Sequence, residues 1–306
     1  MAKRQKILFY LGAALLLSAI TVLLGYGYVK LDVWRIQKSK EILIESQKVN
    51  DKKDCLVLLQ KATLLDPSEN NYLLTGVKAT ENGYDKLATH YFEKIKTANG
   101  YYELGQVYYK SNKLKDAEKA FKKSLSINKT PKAYLGLGKT YLKEGEITKA
   151  QENFKLSYSM ASDNKEALYY NDLIKLYFDK EIKFVPDEKN YRRSELNAIA
   201  QSPALSMRIN WLYQYLLDND YPQAAFTFLR GRSETSQLNR DGYLLLANEY
   251  YIRKTYKESY QYLLSAKTID PYYPQTYQHL VEVADLLNKN DEAKQYREFL
   301  KNIIWQ

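Results

Sequence analysis

The segment AYLGLGKTYL, at residues 133–142, contains the triplet Gly138-Lys139-Thr140, which could end a phosphate-binding loop. Such a loop has a first glycine, then four other residues, then Gly-Lys-Ser/Thr, at a turn from a strand into a helix. The chain has Ala133 where the first glycine would stand. The preceding Lys129-Thr130-Pro131 predicts a turn and a helix start, because proline is favoured in the first helical turn. We therefore expect a helix here and no nucleotide site.

Residues that commonly serve catalysis or metal binding are few in this chain. There is one cysteine, Cys55, and there are two histidines, His90 and His279. Both histidines stand beside expected helix packing positions, and no serine, cysteine or carboxylate pattern assigns either to a triad or a metal site. A single cysteine also excludes an internal disulfide. We therefore predict no enzyme activity, no catalytic residue, no metal site, no cofactor and no small-molecule substrate.

The net charge of the chain is +10, from 46 basic and 36 acidic residues. Nucleic-acid binding would need these charges concentrated in a stripe. Three basic residues lie in the first six positions, and elsewhere Asp and Glu are interspersed among the lysines. The charge pattern therefore predicts a solvated outer surface and no nucleic-acid partner.

A membrane segment is predicted at the N-terminus. Residues 1–6 form a basic head, and residues 7–29 contain no charged side chain. A helix of this length measures about 34 Å at roughly 1.5 Å per residue, enough to cross a hydrocarbon core of about 30 Å. Cleaved signal peptides have shorter apolar cores and a small-residue cleavage site. We interpret residues 7–29 as an uncleaved transmembrane signal-anchor.

The orientation of this anchor is not decided by its flanks, because basic residues occur on both sides. A signal-anchor would keep the N-terminus in the cytoplasm and place the remaining chain outside the cytoplasm. We expect that orientation.

The chain beyond the anchor repeats itself at a period of 33 residues. Six pairs of positions are identical after this shift: Tyr101 and Tyr134, Leu104 and Leu137, Gly105 and Gly138, Tyr108 and Tyr141, Ala117 and Ala150, and Phe121 and Phe154. Their spacing predicts a helix whose buried face recurs every three to four residues, a turn, and then a second helix.

This pattern resembles the tetratricopeptide repeat (TPR) family, whose two-helix unit has these residue types at these positions. It returns near the C-terminus as Tyr243, Leu246, Ala247, Tyr250, Ser259, Leu263, Ala266 and Pro271, and weaker copies begin near positions 36, 69, 165, 205 and 274. The resemblance covers nearly all of residues 36–306. It implies an all-α, TPR-type right-handed superhelical solenoid of antiparallel helix pairs, preceded by one transmembrane helix.

The repeats are predicted to form two arrays. In the unit near 165, the segment EIKFVPDEKN places a proline where a second helix should start. We expect an N-terminal array at 30–180, an irregular linker or degenerate repeat at 181–204, and a C-terminal array at 205–306. The alternative is a longer surface loop within one continuous superhelix.

The resemblance implies a site as well, because in this family one face of each first helix lines a concave groove that holds peptides. Residues at i, i+4 and i+7 share such a face, and exposed aromatic side chains beside polar ones suit protein binding. The predicted groove residues are Tyr102, Gln106, Tyr109, Lys132, Lys139, Tyr213, Asn248 and Tyr251. The alternative is that these side chains pack on the next repeat.

The function predicted from these features is that of a membrane-anchored scaffold or adaptor. It would bind a protein or peptide partner in its groove and so assemble or localise a membrane or envelope complex. Two alternatives stay open: a purely structural subunit of a larger membrane-associated machine, and a cytosol-facing membrane receptor.

Overall fold

A computed structural model describes residues 2–178, 191–201 and 204–303, with side chains from residue 16 onward except those of residues 191–194, 197, 206 and 303. These ranges contain helices and no strands, which confirms the predicted all-α fold. The described helices are α1 Ala2–Ser46, α2 Lys52–Leu65, α3 Glu69–Glu81, α4 Asp85–Phe92, α5 Ala98–Lys110, α6 Leu114–Ile127, α7 Pro131–Glu144, α8 Ile147–Met160, α9 Lys165–Tyr177, α10 Tyr191–Ala200, α11 Leu205–Asp218, α12 Pro222–Glu234, α13 Arg240–Ile252, α14 Tyr256–Ile269, α15 Pro274–Leu286 and α16 Asn290–Ile303.

Most of these helices pack as consecutive pairs joined by a tight turn, as the repeat pattern predicted. In six pairs the turn contains one residue with a positive φ angle, the left-handed conformation that reverses a chain at a helix end. These residues are Gly83, Asn112, Gly145, Asp220, Lys254 and Asn288. Each stands at the same place in its pair, so the turns fix the register of the repeats.

In the α5–α6 and α7–α8 pairs, a glycine of the first helix faces an aromatic ring of the second helix. A Cβ atom added to Gly105 would lie 2.7 Å from the ring of Phe121, and one added to Gly138 would lie 2.6 Å from Phe154. Both phenylalanine side chains are completely buried. The glycine and the phenylalanine are therefore the two halves of one core contact.

In two pairs a serine holds the start of the first helix to the end of the second helix. Ser124 Oγ on α6 donates to the carbonyl of Ala98 on α5 at 2.7 Å, and Ser157 Oγ on α8 donates to that of Pro131 on α7 at 2.9 Å. Thr130 Oγ1 accepts a hydrogen bond from Ala133 N and so caps α7, whose start at Pro131 confirms the predicted helix start.

The chain divides into two compact units, residues 1–128 and residues 129–306. The predicted boundary at 181–204 lies inside the second unit. Residues 181–190, for which an irregular loop was predicted, lie outside the described residues, and α10 occupies most of the rest of that segment. The division into arrays at this point stays a prediction.

Helix α1 is unusually long, with 45 residues. The part of α1 with described side chains, Leu16–Ser46, contains an 18-residue stretch with a mean hydropathy of 1.4. This part of the helix is long and apolar enough to cross a membrane, and the apolar stretch is not buried in the protein. A signal sequence would meet the same criterion. The C-terminal end of α1 packs on α2, where Ser39 Oγ donates to the carbonyl of Ala62 at 2.9 Å.

Candidate functional site

The Gly-Lys-Thr triplet lies in the middle of α7, which confirms the predicted helix. Gly138 faces Phe154, and Thr140 is fully buried with its hydroxyl donating to the Gly136 carbonyl at 2.9 Å. Lys139 Nζ lies 3.0 Å from Glu166 Oε1 on α9. These residues therefore pack and pair within the helical repeats. Among the described residues, no group of three or more His, Cys, Asp and Glu side chains could hold a metal ion.

In the first unit, the predicted groove residues of α5 lie together on one face. Gln106 Nε2 donates to Tyr102 Oη at 2.8 Å, and Tyr109 follows one turn further along. All three side chains are half-buried. The Tyr102 ring also packs near Phe121, with 5.9 Å between ring centroids. This row is an amphipathic surface in which Gln106 and Phe121 hold Tyr102 in place.

In the second unit, the corresponding row on α7 is mostly packed within the protein. Leu135 and Leu142 of this row are buried. Lys139 lies over the ring of Tyr170, 5.6 Å from its centroid, in addition to its contact with Glu166. Lys132, at the start of the helix, is exposed.

Helix α12 packs against the C-terminal end of α7. Lys143 forms an ion pair with Asp220, in the turn that precedes α12. A Cβ atom on Gly145 would lie 2.8 Å from Gln223 Cγ. Two tyrosine pairs join α9 to the same region: Tyr169 Oη lies 2.6 Å from Tyr215 Oη, and Tyr170 Oη lies 2.8 Å from Tyr221 Oη. The chain itself therefore fills part of the space that a ligand of α7 and α9 would need.

Tyr213, also a predicted groove residue, lies inside the second unit with 3% of its surface exposed. Its hydroxyl donates to Glu249 Oε1 at 2.6 Å, and burial, then this hydrogen bond, raises the pKa of Tyr213 above its ordinary value. The turn at Asp220 puts Tyr213 at the position that Gly105 and Gly138 occupy in their repeats. The sequence-based register of this repeat was one residue out, so we leave Tyr213 out of the candidate surface.

The remaining predicted residues, Asn248 and Tyr251, are exposed on α13 and border a cavity of about 80 Å³. The next first helix, α15, contributes His279 and Glu282 to the same cavity. His279 Nδ1 lies 3.7 Å from Glu282 Oε2. Sequence reasoning missed both residues of α15, although Glu282 stands at the repeat position of Asn248 and could have been found by that correspondence.

A larger opening of about 600 Å³ lies in the first unit, between α2 and the turn that leads into α4. Its lining is mainly apolar and includes Val57 and Tyr84, which are 45% and 41% exposed. No sequence pattern indicated this opening.

Comparison with known proteins identifies the repeats. Residues 98–130 and 131–164 each match a family model described as tetratricopeptide repeat. No curated protein sequence matches the chain. Residues 98–164 are thus two tetratricopeptide repeats, at the positions where the sequence pattern predicted them.

Several solved structures are similar to the chain. A tetratricopeptide repeat protein from Parabacteroides merdae ATCC 43184 is 12% identical, with a TM-score of 0.44 over 83% of this chain and 99% of that one. MamA protein is 18% identical, with a TM-score of 0.42 over 60% of this chain and 93% of that one. YrrB, described as a TPR protein with an unusual peptide-binding site, is 19% identical, with a TM-score of 0.39 over 60% and 87%.

Proposed function

We propose that the chain is a protein-interaction scaffold that is held at a membrane by α1 and binds a protein or peptide partner with the exposed faces of its first helices. The observation that best supports this proposal is the surface formed by Asn248 and Tyr251 of α13 with His279 and Glu282 of α15. Aromatic and polar side chains of two adjacent repeats meet there, which is the composition of a protein-binding surface.

The size of the cavity on this surface favours a macromolecular partner over a metabolite. Small-molecule sites measure about 300–1,000 Å³, whereas this cavity measures about 80 Å³. Such a space accepts one small side chain of a partner whose remaining contacts spread over the neighbouring helices. Tyr102, Gln106 and Tyr109 in the first unit, and the exposed Lys132 in the second, are further contact residues in this proposal.

The membrane part of the proposal is supported by the length, hydropathy and exposure of α1. Anchoring restricts the partner to the same membrane surface and raises its effective concentration there. In the orientation we propose, the N-terminus is cytoplasmic and the repeats are extracytoplasmic, where they assemble or localise an envelope complex. A cytosol-facing receptor would require the reverse orientation.

A purely structural role is the second candidate, and the opening beside Val57 and Tyr84 favours it. Apolar surface exposed to this extent is suited to permanent burial against another subunit. The two candidates predict contact with partners through different surfaces.

The test uses a photo-crosslinking amino acid in the full-length, membrane-embedded protein. At position 251 we expect capture of one recurrent protein, and we expect Glu282→Lys to abolish that capture. Position 272 is the matched control, because Tyr272 is 72% exposed but does not border the cavity. Equal capture at 251 and 272, or capture only at 84, would contradict the scaffold proposal, and the second of these results would establish the structural role.

A further inference from the structure

The C-terminal end of α2 is hydrogen-bonded to α1, at a point just after the apolar stretch of α1. Arg35 Nη2 donates to the carbonyl of Leu64 at 3.4 Å, and one turn further Ser39 Oγ donates to that of Ala62 at 2.9 Å. Asn71 of α3 donates to Ser39 Oγ at 3.2 Å. These three hydrogen bonds therefore fix the position of the end of α2 along α1.

Large apolar side chains are exposed where the end of α2 meets α1. Leu64 at the end of α2 is 77% exposed, and Leu31 and Trp34 on α1 are 55% and 56% exposed. Leu31 precedes Arg35 by one helical turn, so it lies on the same face of α1 as the residue that holds Leu64. We call Leu31, Trp34 and Leu64 the apolar corner.

The distance of the apolar corner from the predicted span matches the headgroup zone of a bilayer. Lys30 is the first charged residue after the span, and Arg35, level with Leu64, follows about 8 Å further along the helix at roughly 1.5 Å per residue. A bilayer of about 40–45 Å with a hydrocarbon core of about 30 Å has a headgroup zone of roughly 5–8 Å on each side. Helix tilt of about 20° lowers the corner further into this zone.

The residue types of the corner also suit this environment. Tryptophan is enriched at membrane interfaces because its ring is apolar and its N–H is polar. The basic residues Lys30, Arg35 and Lys61 stand near lipid headgroups in this placement, together with the acidic residues Asp32 and Asp66. Because basic and acidic residues are both present, their interactions with the headgroups largely offset each other, and the apolar side chains provide the principal attraction to the membrane.

We propose that the apolar corner docks onto the headgroup zone of the membrane that α1 crosses, as a second contact besides the span itself. This inference rests on the membrane anchoring in the proposed function. Docking would hold the first helix pair at a fixed height and limit the swing of the first unit about α1.

The test places a fluorophore on single cysteines in the full-length protein, in a Cys55→Ser background, reconstituted into phosphatidylcholine vesicles. We expect a label at position 64 to lose most of its emission when a lipid with a nitroxide on its headgroup is included. A label at position 57 is the matched control, because Val57 is exposed on the same face of α2, two turns further from the span. Equal loss at the two positions would overturn the proposal.

A second variant tests the corner without labelling it. A label at position 61, one turn from Leu64, is expected to be quenched less when Leu64→Glu is introduced, whereas Val57→Glu should leave its quenching unchanged. Alkaline extraction of the same vesicles separates the two proposals. Release of the protein shows that the anchor has failed, whereas retention without quenching at position 64 refutes the docking alone.

Discussion

At the scale of single residues, Gly138 illustrates how a residue type can suggest one chemistry and serve another. A glycine within a helix costs about 1 kcal/mol relative to alanine, so its presence in the middle of α7 needs a reason. The ring of Phe154 supplies it, because an added Cβ atom would lie 2.6 Å from that ring. The glycine therefore permits the close approach of two helices.

We expect Gly138→Ala to destabilise the protein. Overpacking against Phe154 costs about 1–3 kcal/mol, and the gain in helix propensity of about 1 kcal/mol offsets it only in part. Gly231→Ala is the control, because Gly231 lies within α12 and an added Cβ atom there meets nothing within 4 Å. It should stabilise by up to about 1 kcal/mol. Circular dichroism melting of the full chain in detergent measures both, and shifts of the same sign would contradict this account.

Single residues also show what the sequence could and could not predict. The identical residues around Gly105 and Gly138 predicted the helix pairs α5–α6 and α7–α8 correctly. In both pairs the glycine of the first helix packs on a phenylalanine of the second, so the same contact recurs in the sequence. Tyr213 was misplaced because a tyrosine stands where those repeats have glycine, and a register shifted by one residue matched the aromatic pattern equally well. Pro222, the first residue of α12, could have fixed the register, since proline favours the first position of a helix.

At the scale of helices, the contact of α12 with α7 was beyond sequence reasoning. In a solenoid each repeat is expected to touch only its neighbours, and the motif positions predict contacts of that kind alone. Lys143 and Asp220 are far apart in the sequence, yet they form an ion pair. Nothing in the repeat pattern encodes that pairing, so a groove was predicted where part of the space is filled.

A pair of glycines tests how closely α12 approaches α7. Gly145 and Gly83 occupy equivalent turns with φ angles of 79° and 77°. Alanine at either position costs about 1–2 kcal/mol because of the left-handed backbone. An added Cβ atom would meet Gln223 of α12 at Gly145 and nothing within 4 Å at Gly83. We therefore expect Gly145→Ala to be more destabilising than Gly83→Ala by about 1 kcal/mol, from overpacking.

The measurement is urea unfolding of the two variants in detergent, followed by circular dichroism. An equal loss of stability would show that the contact with α12 contributes nothing. Repeating both substitutions in an Asp220→Ala background adds a second check, because the difference between them should shrink when the ion pair that holds α12 is removed.

At the scale of the whole molecule, tyrosine is the residue that distinguishes this chain, with 30 copies. Many pack in the repeat cores, and several in the second unit also bond to one another or to carboxylates. Tyr260 Oη lies 2.9 Å from Tyr296 Oη, and Tyr213 Oη donates to Glu249. The hydroxyl groups that would cost energy if buried alone therefore satisfy each other. A tyrosine can donate such a hydrogen bond only while its hydroxyl group is protonated, and therefore neutral.

This requirement predicts that the protein loses stability in alkali. Burial is the main cause that raises the pKa of Tyr177, Tyr213 and Tyr260 above the ordinary value. Their contribution is complete below pH of about 10, where tyrosine in the unfolded chain keeps its proton. Above that pH the unfolded chain releases protons that the folded chain retains, so stability falls by up to about 1.4 kcal/mol per pH unit for each such tyrosine.

Urea unfolding at a series of alkaline pH values measures this slope. We expect Tyr213→Phe to make the fall of stability with pH shallower, because phenylalanine releases no proton in either state. Tyr272→Phe is the control, because Tyr272 is 72% exposed and the substitution removes the same hydroxyl group from the protein surface, and we expect it to leave the slope unchanged. The slope separates titration from any general loss of packing, which would lower stability equally at every pH. An unchanged slope in Tyr213→Phe would show that this tyrosine ionises in the folded protein, contrary to its burial.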